Sequence, residues 1–176
     1  MSNHDEQKAE AVHASALVRA AEVLIRLGGA LSALLILLVF AIVAYAITQR
    51  YLLDTPLLWG DEFIGYTLVA IVMFGAAEAQ LRGDHISIDL LAARAGRTVR
   101  IFLGWLGNMA IIVFAAIIGW SAWESIRFAR SFGSYSVGYI EIETWIPQVP
   151  MLFGAALLIL ASLVQIIRLV AKAGNR

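Results

Sequence analysis

Four stretches of this chain run without an aspartate, glutamate, lysine or arginine: Leu27–Gln49, Phe63–Ala77, Ile101–Trp123 and Thr144–Ile167. They hold 23, 15, 23 and 24 residues. In hydrocarbon no water is present to pair with backbone amides, so a spanning segment must satisfy them itself, as a helix does. A helix rising about 1.5 Å per residue needs about 20 residues to cross. The second run becomes 19 residues when extended through Glu78 to Leu81. The fold expected is an all-α integral membrane protein with four transmembrane helices, over about 27–49, 63–81, 101–123 and 146–167. Composition agrees: 61% of the 176 residues are hydrophobic and 15% charged, against roughly 45–50% and 25% in soluble domains.

The organisation follows from these runs. Residues 1–26 read as a cytoplasmic or interfacial N-terminal segment, 27–168 as one four-helix membrane domain, and 169–176 as a cytoplasmic tail. Val12, Ala16, Leu17, Ala20, Val23 and Leu24 fall at helical spacing, which predicts an amphipathic interfacial helix or a continuation of the first span. The first ten or so residues read equally well as a disordered tail. Ala44-Tyr45-Ala46 resembles a cleavage site, but the apolar run before it exceeds the roughly 7–15 residues of a secretory signal, so the helix is expected to be retained. The 82–100 loop is amphipathic too, with four arginines that suit phospholipid headgroups.

Of the 13 basic residues, Lys8, Arg19, Arg26, Arg82, Arg94, Arg97, Arg100, Arg168, Lys172 and Arg176 fall on one side of the expected spans. Only Arg50, Arg127 and Arg130 fall on the other. Basic loops stay in the cytoplasm, so both termini are expected inside. Trp59, Trp120, Trp123 and Trp145 then mark the outer interface and Trp105 the inner one. The formal net charge of zero argues against a nucleic-acid surface, and the absence of cysteine removes disulfide and thiolate chemistry.

Few residues could carry chemistry. Asn108 is the clearest polar group inside a span, and a hydrogen bond to a neighbouring helix is its expected role rather than a substrate contact. Glu78 stands four residues before Arg82, the favourable order for an ion pair on a helix, and suits the membrane rim or a subunit contact. His85 lies beside Asp84 and near Asp89 in the loop after the second span, where a local turn role is expected. No nucleophile–base set, zinc spacing or phosphate-cradling loop is present, so no enzyme is expected, with no catalytic, substrate-binding or metal residues. Gly65, Val69, Val72, Ala76, Ala79 and Gly83 repeat at 4-3-4-3-4 spacing along the second span, a seam that would admit a close neighbouring helix. Gly28, Gly29, Ser32 and Ala33 offer another on the first.

The order of polar motifs is more particular than the helices. Trp59 and Asp61-Glu62 enter the second span, and Phe74-Gly75-Ala76-Ala77 lies within it. Gly83-Asp84-His85-Ile86-Ser87-Ile88-Asp89-Leu90-Leu91 leaves it, and Glu143-Thr144 with Ile146-Pro147 precedes the last. In this the chain resembles the small membrane subunit, the Q component, of tripartite ATP-independent periplasmic (TRAP) transporters. The resemblance implies a multi-pass protein of the bacterial inner membrane. Its partners would be a large many-helix membrane subunit, which carries the substrate and sodium sites, and a periplasmic substrate-binding protein. Substrates of such systems are mostly organic anions, including C4-dicarboxylates, other carboxylates and sialic acids. No cofactor is implied for this subunit, sodium coupling being expected on the large one. Trp59, Asp61, Glu62, Glu78, Arg82, His85, Asp89 and Asn108 become candidate anchoring or subunit-contact residues. Two other readings stay open: a haem-bearing anchor of a respiratory complex, and a self-contained small exporter or channel. The first needs a second well-placed histidine, and the second a polar helix face at mid-depth.

Overall fold

The computed structural model describes residues 3–83 and 97–174. Helix α1 covers Asn3–Leu52, α2 Gly60–Arg82, and α3 Arg97–Phe132; a 3-10 turn, Ile146–Gln148, leads into α4, Val149–Gly174. All four helices are long and apolar enough to cross a membrane. Among the described residues no strand forms, and the one isolated bridge pairs Tyr135 with Glu143. The leader and the first span are one unbroken helix. Its apolar part, Ala16–Leu52, has 37 residues, about 55 Å of helix and well beyond the ~30 Å hydrocarbon core.

Local chemistry sets the helix ends. At the end of α1 the N–H groups of Leu53 and Thr55 both return to the Gln49 carbonyl at 3.2 Å. Asp54 between them takes φ 52°, a left-handed conformation that aspartate tolerates. Gly83 closes α2 at φ 75°, its N–H on the Gln80 carbonyl, and without a Cβ it adopts that angle at little cost. Asp61 and Glu62 stand in the first turn of α2 and Arg82 in the last, matching the helix dipole at both ends.

The helices pack as a slab. α4 packs on α1, α2 and α3, and α2 packs on α1 and α4, whereas among the described residues α1 and α3 do not meet. The order across the slab is therefore α1, α2, α4, α3. Burial follows: 28% and 33% of the apolar windows of α2 and α4 are buried, but only 6% and 11% of those of α1 and α3. Small residues make the contacts, with Ala70 and Ala77 on α2, Ala115, Ala122 and Ala129 on α3, and Ala155 and Ala161 on α4 all buried. Membrane helices associate through such close packing because lipid offers no hydrophobic drive between them. Ile25, Ala77, Leu81, Ala161 and Val164 form a core toward the α1 leader end.

The seam predicted on α2 is not the face used. Thr67, Ala70, Ala77, Gln80 and Leu81 are buried, while Gly65, Val69, Val72 and Ala79 are exposed. At about 100° per residue, offsets of one and two residues from the seam turn the packed face roughly 140° away from it. The other seam is used: Gly28, Gly29 and Ser32 are buried, and Ser32 donates to the Ile71 carbonyl of α2 at 2.8 Å.

Candidate functional site

The polar residues of α2 build two separate centres, one at each end. At the Trp59 end, the Glu62 carboxylate reaches a segment more than seventy residues away. It accepts hydrogen bonds from Tyr66 Oη at 2.7 Å, from the Ile140 backbone N–H at 3.0 Å and from the Ser136 hydroxyl. Tyr66 is one turn along the same helix, so both hydroxyls and the carboxylate form one cluster. Gly138 passes so close that a Cβ there would overlap the Glu62 carboxylate. The loop is also pinned from within: Ser136 N–H donates to the Ile142 carbonyl at 2.8 Å and Thr144 N–H to that of Ser134 at 3.0 Å. Trp145 donates to Glu143, and Arg130 lies 5.1 Å from the Trp145 ring centre.

Asp61, adjacent in sequence, points elsewhere. It lines a groove of about 540 Å³ with Arg50, Tyr51, Leu57, Leu58 and Tyr139, between the end of α1 and the start of α2. Trp59 is 42% exposed and meets Phe63 edge-on at 6.1 Å, an amphipathic ring at the level where interfacial aromatics sit.

At the other end Glu78 pairs with Arg82, Nη2 to Oε1 at 2.5 Å and Nε at 3.2 Å. The Glu78 carboxyl group lies on Gly29 of α1, where a Cβ would collide with it. The last carbonyls of α2, which the helix itself leaves unpaired, are capped by α4. Gln165 Nε2 donates to the Gln80 and Leu81 carbonyls at 3.1 and 2.6 Å, and Arg168 Nη1 donates to Leu81 at 3.3 Å. Arg168 also pairs with Glu22 of α1 at 2.6 Å. His85 and Asp89 lie outside the described residues.

Asn108 sits in the interior, 8% exposed. Its Oδ1 accepts from Gln80 Nε2 at 2.8 Å, its Nδ2 donates to the Gly104 carbonyl at 2.7 Å, and Gln80 also donates to Ser162 Oγ at 3.2 Å. One buried network thus ties α2, α3 and α4. Sequence reading singled out Asn108 but missed Gln80, Ser162 and Gln165. Their one sequence signal was a polar side chain inside an apolar run, a signal that Asn108 carried too.

These groups brace helices and a loop, and among the described residues no cluster of three or more His, Asp and Glu converges. A family model described as tripartite ATP-independent periplasmic transporters, DctQ component, matches residues 39–172. No curated protein matches the chain.

Proposed function

The chain belongs to the DctQ-component family of tripartite ATP-independent periplasmic transporters, and from that membership we propose that it anchors and stabilises a large transport subunit. The transport served is sodium-driven uptake of an organic acid delivered by a periplasmic binding protein. The match over 39–172, which takes in the last part of α1 and the spanning segments of α2, α3 and α4, carries this reading. The polar chemistry supports it: both α2 ends and the Gln80–Asn108–Ser162 network bind elements of this chain to one another, as a scaffold requires. The basic-residue bias supports an inner-membrane protein with both termini in the cytoplasm. On that orientation the Glu62-pinned loop faces the periplasm, beside Asp61 and Trp59, where it can meet the binding protein or the large subunit.

Reconstitution tests the proposal. The large subunit and its binding protein are placed in liposomes under an inward sodium gradient, with and without this chain. Uptake and co-purification in mild detergent should both depend on it. Equal uptake without the chain, or a large subunit that never co-purifies with it, would overturn the proposal.

A further inference from the structure

Three helices place an arginine at one level. Arg26 immediately precedes the apolar run of α1, Arg82 directly follows Leu81 at the end of the second span, and Arg168 follows the apolar run of α4. Each therefore stands where hydrocarbon gives way to headgroups, where long basic side chains ordinarily turn out into water. Here they also border a common space. Arg26, Arg82 and Arg168 line one cavity of about 420 Å³ between α1, α2 and α4, together with Glu78 and Leu81. That volume falls within the ~300–1,000 Å³ typical of small-molecule sites.

Among the described residues, basic groups around the cavity outnumber acidic ones. Glu78 pairs with Arg82 and Glu22 with Arg168, leaving Arg26 without an ion pair among the described residues. Among the described residues three guanidinium groups stand beside two carboxylates, at a depth where the local anions are lipid phosphates. Basic pockets between membrane helices bind such headgroups, and a guanidinium presents paired donors that fit two phosphate oxygens. α1 lies at the edge of the slab, so a lipid can enter from the bilayer without parting the helices. We propose that this cavity is a binding site for the phosphodiester of one anionic glycerophospholipid, with Arg26 as its principal cation. Arg82 and Arg168 flank the phosphate. A glycerol headgroup would meet the Glu78 carboxylate as hydrogen-bond acceptor. The Arg26 guanidinium, without an ion pair among the described residues, favours phosphatidylglycerol over a neutral lipid.

The inference rests on the membrane fold alone, so its test is independent of uptake. The full chain, purified in mild detergent, is incubated with phosphatidylglycerol, phosphatidylethanolamine or phosphatidylcholine, and lipid retention is read by native mass spectrometry. One phosphatidylglycerol per chain should be retained in preference to the other two. R26Q should weaken retention at least tenfold with an unchanged melting temperature, because Arg26 makes no ion pair among the described residues. R127Q, at the far end of α3 and paired with Glu124, should retain lipid normally. Equal retention of all three lipids, or undiminished retention in R26Q, would overturn the site. Displacement of the lipid by equimolar glycerol 3-phosphate would overturn its assignment to a membrane lipid.

Discussion

Asp61 and Glu62 both stand in the first turn of α2, where the positive end of the helix dipole favours a carboxylate. What separates them is direction. Successive helical residues diverge by about 100°, which turns Glu62 onto Ser136 and Ile140 and leaves Asp61 in the groove beside Arg50. The acidic pair, one feature in the sequence, divides into a loop clamp and an available carboxylate. Glu62→Ala should therefore raise amide exchange at Ile140 several-fold, because a charged acceptor is lost from that N–H, while Asp61→Ala leaves it unchanged. Hydrogen–deuterium exchange on the detergent-purified chain reads this directly. Equal exchange in both variants would remove the clamp. The pairing of Glu62 with residues 74 and 78 positions away was not legible beforehand, since no local pattern links α2 to the segment after α3. The Glu78–Arg82 pair was legible, because its partners are one helical turn apart.

At the scale of the helix, the same contrast governs packing. The four spans and their polar ends could be read from hydropathy and charge, which are local properties. Which face of a helix packs depends on where its neighbours stand. The 4-3-4-3-4 repeat of Gly65, Val69, Val72, Ala76, Ala79 and Gly83 lies mostly on the outward side of α2, with Ala76 half-buried. A sequence pattern did mark the packed face of α3, where Asn108, Ala115, Ala122 and Ala129 recur every seven residues and all are buried. That period is the one expected for helices crossing at a shallow left-handed angle. Two glycines separate close approach from small size. A Cβ on Gly154 would lie 3.1 and 3.2 Å from the backbone C and Cα of Met73 on α2, whereas one on Gly65 would meet nothing within 4 Å. Gly154→Ala should therefore destabilise the chain by about 1–3 kcal/mol through overpacking. Gly65→Ala should be neutral or up to about 1 kcal/mol stabilising, from helix propensity alone. Thermal unfolding in one detergent compares the two; a destabilising Gly65→Ala would show that the exposed seam packs within the chain after all.

Across the whole molecule, a slab of four helices exposes more side-chain surface to its surroundings than a square bundle would, and it does so unevenly. The edge helices α1 and α3 bury little of themselves. The ends differ as sharply as the faces: Arg26, Arg82 and Arg168 gather at one, while Arg50, Asp61 and Tyr139 meet at the other. With ten of 13 basic residues assigned to the first end, the membrane potential and the anionic inner leaflet both favour that end in the cytoplasm. The chain contains no cysteine, so a single introduced thiol reports one position without background. Val137, at the tip of the Glu62-pinned loop, is fully exposed, and Leu17, ten residues before the first apolar run, is 72% exposed. About 15 Å of helix separates Leu17 from Leu27, enough to carry it clear of the hydrocarbon. In intact spheroplasts a membrane-impermeant maleimide should label V137C and spare L17C, and lysis should expose both. The reverse order would turn the molecule over in the membrane and put the Glu62-pinned loop in the cytoplasm, out of reach of a periplasmic partner. Labelling of both before lysis would mean that α1 does not cross at all.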